Sequence, residues 1–165
     1  MTTMPRTLSA SLALLAFASA AFAAPPEPAK LPTAAEYMAQ PGNDPSPPGT
    51  LSWQLLSQVK TVQKADKSFG PQYTREIRAL DRQDVKLYGF MMPLDQSARQ
   101  KRFLLTPFPP HCSFCMPGGP EAIVEVVADK AFEFTYEPIL VSGQLAVLDD
   151  DVVYYRVSHA VPAKP

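Results

Sequence analysis

The chain has 165 residues, 15 basic and 16 acidic side chains, a formal charge of −1, and 19 prolines against 7 glycines. So even a balance leaves no electrostatic footprint for nucleic acid or an anionic membrane surface. Two cysteines are too few for a four-thiolate zinc centre.

The N-terminus reads as a secretory signal peptide, with Arg6, an apolar core over residues 12–22, and the small-x-small site Ala21-Phe22-Ala23 before Ala24 and Pro25. Removal of residues 1–23 on export to the periplasm is the expectation. The apolar run falls short of the roughly 20 residues a membrane span needs, and no cysteine follows the site to carry a lipid, so no membrane span is expected after cleavage. Residues 24–50 hold eight prolines and few large apolar groups. Such a stretch cannot repay the entropy of ordering, and a disordered or extended linker is expected there. What remains, residues 51–162, suffices for a single small domain.

From Thr50 the pattern changes. Leu51, Trp53, Leu55, Leu56, Val59 and Val62 recur at roughly helical spacing after the caps Thr50 or Ser52, which predicts a short helix over residues 52–64. Gly70-Pro71 breaks the chain, residues 73–80 read as a weak strand or a turn of helix, and residues 80–84 as a polar tight turn. Residues 85–92 alternate as a strand, with Gly89 at a bulge or bend. Further strands are expected over residues 102–106, 122–127, 138–148 and 153–158. A turn is expected at Asp129-Lys130, and another at Asp149, Asp150 and Asp151. In the strand over 138–148, the longest of the set, Val141 and Leu145 should be buried and Gly143 should sit where a side chain would clash. Five short strands after one helix make a mainly β fold, a small antiparallel OB-like barrel with a short N-terminal helix.

Between the second and third strands lies the loop 107–120, Pro-Phe-Pro-Pro-His-Cys-Ser-Phe-Cys-Met-Pro-Gly-Gly-Pro, with both cysteines and five prolines. Three readings of Cys112 and Cys115 stay open. In an exported protein they can form a disulfide, structural or adventitious. A thioredoxin-like redox pair is disfavoured, because its first cysteine wants a helix N-terminus and Met116-Pro117-Gly118-Gly119-Pro120 forbids a helix. As thiolates they suit Zn(II) or Cu(I). His111 is a third donor only if the chain turns at Pro110-His111, since neighbours in an extended segment face opposite sides. Met91, Met92 and Met116 offer thioethers, although a methionine in a barrel strand is more often core.

Outside the loop, His159 reads as a surface histidine that would close the site only if the fold brought it near. Glu121 reads as a capping or solvated residue. The three aspartates of the acidic turn read as solvated, not as a calcium cage. Trp53, Phe69 and Tyr73 read as a lid on the barrel. No phosphate loop, defensible Ser-His-Asp order or carboxylate pair suggests an enzyme.

The strand Gly89-Phe90-Met91-Met92-Pro93-Leu94, the strand Phe103-Leu104-Leu105, the loop from Cys112 to Pro120 and Val141-Ser142-Gly143-Gln144-Leu145 together resemble an uncharacterised family of exported bacterial proteins of unknown function. The resemblance spans about residues 51–160. One departure is the turn at 80–84, which has no glycine where a Leu-x-Gly turn is associated with the family. Some relatives are encoded beside zinc-linked transporters. The resemblance thus implies a metal-linked periplasmic role, with Cys112 and Cys115 as site. The first reading is an accessory protein that binds a transition metal, or a transport or envelope partner such as a periplasmic or inner-membrane transport complex, through that loop. The alternatives are a thiol-disulfide oxidoreductase and a structural interaction module with a Cys112–Cys115 disulfide.

Overall fold

The computed structural model describes residues 34–40, 42–110 and 119–164. The expected leader, residues 1–23, lies outside them. Residues 31–165 form one compact unit. In chain order its elements are α1 (Ala34–Met38), α2 (Trp53–Leu56), β1 (Lys60–Gln63), β2 (Phe69–Gln72) and α3 (Arg75–Arg78). There follow β3 (Asp84–Pro93), β4 (Arg99–Thr106), a 3-10 turn (Pro120–Ala122), β5 (Val124–Glu133), β6 (Ile139–Val147) and β7 (Tyr155–Pro162).

The last five strands close into a barrel in the order β3-β4-β5-β7-β6, and β6 returns to pair with β3. This is the expected mainly β, OB-like barrel. Four of its five seams are antiparallel, and the β5–β7 seam is parallel. An odd number of strands cannot alternate direction all the way round a ring, so one parallel seam is forced by the count itself.

The barrel interior is filled by alternate residues. Leu87 and Met91 of β3, Phe103 and Leu105 of β4, Val124 and Val126 of β5, Val141 and Leu145 of β6, and Tyr155 and Val157 of β7 are all buried in one cluster. Val141 and Leu145 are thus where alternation puts them. Gly143 faces the β7 backbone, where a β-carbon would come within 2.6 Å of the Ser158 carbonyl oxygen. The ladder slips there, because His159 takes φ +52 and lets β7 bulge opposite Gly143. The expected bend at Gly89 is a close approach: a β-carbon would lie 2.6 Å from the Thr106 carbonyl oxygen and 3.3 Å from the Trp53 indole.

Several boundaries differ from those expected. The helix predicted over 52–64 ends at Leu56, where Ser57 turns its hydroxyl back onto the Gln54 carbonyl at 2.9 Å. The β-branched Thr61 and Val62 then extend as β1, since branching at Cβ favours a strand over a helix. Gly70-Pro71 does not break the chain but belongs to β2, where Pro71 faces Thr61 on a two-stranded ribbon. Residues 75–78 are a turn of helix, with Thr74 as N-cap. The turn over 80–84 is present, with Arg82 at φ +60, a conformation a glycine reaches at no steric cost. Asp129-Lys130 is not a turn, because β5 runs on to Glu133, which faces Arg99 of β4. β3 and β5 are therefore each longer than β6.

The stretch 24–50 was expected to stay unpacked, yet its described part is built into the domain. Met38 of α1 is fully buried, and Tyr37 meets Phe108 edge-on at 5.5 Å. Asp44 then satisfies the start of α2. Its carboxylate accepts from the Ser52 hydroxyl, from the Gln54 amide at 3.1 Å and from the Ser46 amide at 2.9 Å, while Ser52 accepts from the Leu55 amide at 3.1 Å. The Gln54 and Leu55 amides are orphan donors that a helix N-terminus must place somewhere. Trp53, held over Gly89, donates from its indole N–H to the Tyr88 carbonyl at 2.6 Å.

Candidate functional site

The loop that carries the sequence-predicted site leaves the barrel at the end of β4 and returns at β5. Its near foot is fixed. Thr106 is buried, with its hydroxyl 3.0 Å from the Phe108 carbonyl oxygen and 3.3 Å from that of Phe90 in β3, and Phe108 packs on the core and on Tyr37. The far foot is equally built. Gly119 accepts from the Ala122 amide at 3.0 Å across the 3-10 turn, and the Glu121 carboxylate occupies the space a β-carbon on Gly119 would need. Of the capping or solvated role expected for Glu121, no side-chain capping hydrogen bond forms among the described residues, and the residue is half-buried beside Gly119. His111, Cys112, Cys115 and Met116 lie outside the described residues, between these two feet.

The remaining sequence candidates are placed clearly. His159 is exposed on β7 and its Nδ1 lies 3.1 Å from Asp129 of β5. Its neighbour Ala160 pairs with Ala128, four residues along β5 from Val124, which is about 13 Å at the rise of a strand. The fold therefore does not bring His159 to the root of the loop. Met91 belongs to the barrel core, and Met92 to a smaller buried cluster with Leu104 and Ile123. Both methionines also line a cleft of about 600 Å³ with Pro109, Pro110, Phe134 and Tyr136, immediately before His111. Among the described residues, no group of three or more His, Cys, Asp or Glu side chains is gathered as a metal site.

The acidic turn is spent on basic partners from α3, from β7 and from the connection after β1. Asp149 takes Arg78 at 2.9 and 2.5 Å, Asp150 takes Lys64 at 2.7 Å, and Asp151 takes Arg156 at 2.8 Å. Hydrogen bonds from Arg78 and Arg156 hold Asp149 and Asp151 below the usual carboxylate range. The turn is a fastening, and no oxygen cage for a hard cation forms there. Tyr73 tucks beneath it, its hydroxyl bonded to the Leu148 carbonyl and its ring under the Arg78 guanidinium at 4.4 Å. The buried Tyr155 hydroxyl donates to the Leu56 carbonyl at 2.7 Å. Burial pushes both phenols far above their ordinary range, so neither is an acid–base group near neutrality. Of the expected lid, Trp53 and Tyr73 pack as foreseen, but Phe69 is 71% exposed at the start of β2.

One group escaped the sequence reading. Glu125 points outward from β5 yet is buried, its carboxylate held between the Nε atoms of Arg102 on β4 and Arg156 on β7. Arg156 is directly opposite on the parallel seam, and Arg102 lies on the diagonal. Alternation marks Glu125 as outward; only the ring order brings two arginines onto it.

A five-stranded barrel with its second-to-third-strand loop carrying both cysteines is now in view, and the family model for a protein of unknown function, DUF3299, matches residues 25–164. The chain belongs to the DUF3299 family. The match begins upstream of α1, in keeping with the packing of Met38 and Asp44 into the DUF3299 domain. Among solved structures it is similar to a DUF3299 family protein from Pseudomonas aeruginosa PAO1, at 26% identity over 58% of this chain and 68% of that chain, with a TM-score of 0.46. No curated protein matches.

Proposed function

We propose that this DUF3299 domain is an exported, non-enzymatic periplasmic accessory that takes a soft transition-metal ion, Cu(I) or Zn(II), on the loop 107–120. Cys112 and Cys115 supply thiolates, and His111 the adjacent nitrogen. The supporting observation is the frame of the loop. Thr106 and Phe108 at one foot, and the 3-10 turn closed from the Ala122 amide to the Gly119 carbonyl at the other, fasten it to a closed barrel. Fixed feet and five prolines lower the entropy a bound ion must offset. Soft sulfur suits both ions, and tetrahedral Zn(II) would take a further donor from the partner or from water. A transport complex of the periplasm or inner membrane, docking on the same loop, would be the donor or acceptor of the ion.

The thiol oxidoreductase alternative lacks support from the local architecture. Among the described residues after the loop, the chain makes one 3-10 turn and enters β5, and neither element offers the helix dipole that would acidify a thiol. The deciding experiment is anaerobic titration of the reduced protein with Cu(I) and Zn(II) against chromogenic competitors. The wild type is expected to take about one equivalent, the number one paired-thiolate site provides, and the Cys112→Ser, Cys115→Ser protein none. Trp53 emission should stay unchanged, which reports that the barrel survives. Equal uptake by both proteins would overturn the metal reading.

A further inference from the structure

A second cleft, of about 520 Å³, lies on the outer face of β3 and β6. Tyr88 of β3 and Leu140 of β6, directly opposite each other in the ladder, line its floor. One wall is the turn from Pro47 to Thr50, and the other is Pro162 with Ala163. Both walls are bonded to the backbone of the floor strands. The Leu51 amide, next to the turn, donates to the Lys86 carbonyl at 2.7 Å, and the Ala163 amide donates to the Leu140 carbonyl at 2.9 Å. The turn is itself closed, since the Thr50 hydroxyl donates to the Pro47 carbonyl at 2.6 Å. A cleft held on both sides before anything enters it is the usual form of a small-molecule site, and its volume falls within the roughly 300–1,000 Å³ of such sites.

The chemistry of the lining narrows the occupant. Lys86 is the one charged residue among the described residues that line the cleft, and no carboxylate lines it. Its side chain is exposed, and among the described residues its ammonium has no ion-pair or hydrogen-bond partner. Asp84, the preceding outward residue of β3, neither pairs with it nor lines the cleft. The Tyr88 hydroxyl is likewise bonded to no described group, whereas that of Thr50 is spent on Pro47. Lys86 and Tyr88 share one face of β3 about 7 Å apart, so one carboxylate can receive both donors. A polyanion finds only one cation here. A sugar would set its hydroxyls against proline rings, where they lose water and gain no partner. What fits is a compact apolar body with a single negative charge.

We propose that this cleft binds a small apolar carboxylate, with its hydrocarbon body between the Pro47–Thr50 turn and Pro162 and its carboxylate on Lys86 and the Tyr88 hydroxyl. No described residue of the loop 107–120 lines the cleft, so the proposal does not rest on the metal reading. The test titrates the isotope-labelled full chain with naphthoate, with its neutral isostere naphthamide and with naphthylmethylammonium, followed by amide NMR. Naphthoate should bind saturably and shift the Lys86, Tyr88, Leu140 and Ala163 amides. Naphthamide should bind about fivefold more weakly, the upper range for an exposed ion pair, and the ammonium more weakly still. Lys86→Gln should bring naphthoate down to the affinity of naphthamide and leave naphthamide unchanged, a difference that damage to the fold would not produce. Lys86→Arg should keep the preference for the anion. Ala163→Trp, which fills the cleft from its wall, should abolish binding of both. The Cys112→Ser, Cys115→Ser protein should bind as the wild type, which separates this proposal from the metal reading. No saturable shift at millimolar ligand, shifts gathered on another face, equal binding of the three compounds, or a Lys86→Gln protein that still prefers naphthoate would overturn it.

Discussion

Gly89→Ala tests how the site is held by the fold. An added methyl carbon would lie 2.6 Å from the Thr106 carbonyl oxygen, 3.1 Å from Leu105 Cγ and 3.3 Å from the Trp53 ring. Carbon and carbonyl oxygen on adjacent strands settle at about 3.3 Å or more, so the Thr106 carbonyl must retreat by roughly 0.7 Å. That carbonyl is backbone, in a ladder where Phe90 pairs with Thr106, and a rotamer change cannot move it aside. Overpacking of this kind costs about 1–3 kcal/mol, and the rigid neighbour places Gly89→Ala at the upper end. A loss of about 3 kcal/mol lowers the melting temperature of a domain this size by roughly 10 °C. Urea denaturation read by fluorescence is the assay, because Trp53 is the chain's single tryptophan and lies against the altered position. The midpoint should fall at constant m-value, and native emission should shift to the red. Without a clash the same change would be neutral or stabilising by about 0.4–1 kcal/mol through the unfolded chain. A neutral or stabilised variant would therefore refute the argument.

Asp44→Ala should cost about 1–2 kcal/mol, the range for a lost helix cap, since it strands the Gln54 amide and the Ser52 hydroxyl together; a loss within ~0.5 kcal/mol, as at ordinary surface sites, would mean residues 43–50 are not docked on α2. Acid should destabilise the domain from about pH 4 downward. Burial raises the Asp44 carboxyl, but hydrogen bonds from Ser46, Ser52 and the Gln54 amide outweigh it and hold it low, while Arg78 and Arg156 depress Asp149 and Asp151. A carboxyl depressed in the folded state makes the unfolded chain the better proton acceptor. Its contribution is complete above the ordinary value of 3.8 and is lost as pH falls through the lower folded value. Thermal melts from neutrality to about pH 2 check this, and a midpoint that holds level or rises on acidification contradicts the sign.

The strands were legible because alternation on a half-buried sheet leaves a period of two, plain in Leu87–Met91 and Val141–Leu145. The closing seam was not legible by pattern, although the count of five strands already required one parallel pair. Helical spacing misled at Val62, which belongs to β1 once Ser57 stops α2, while Val59 lies buried between the two elements. Prolines misled over the described part of 24–50: they mark stiffness, and a stiff segment packs at small entropic cost where Met38 and Asp44 have partners. At the candidate site, composition picked out both cysteines and the proline-rich stretch around them. It could not locate the Glu125 clamp, because Arg102 and Arg156 reach it only through an ordering of strands that no local pattern encodes.

The parallel seam also governs how the barrel can be assembled. β7 is bonded to β5 on one side and β6 on the other, and it is the last strand to emerge in chain order. Until Tyr155–Pro162 is in place, β5 and β6 are raw edges that a neighbouring molecule can pair with. Most of the domain's contacts join residues distant in sequence, a topology that folds slowly. Cleavage in the turn at Asp149–Asp151 would therefore not trim the domain. It would leave the closing strand held only by its two ladders and its buried side chains, and loss of that strand would turn a barrel with no free edges into an open sheet with two.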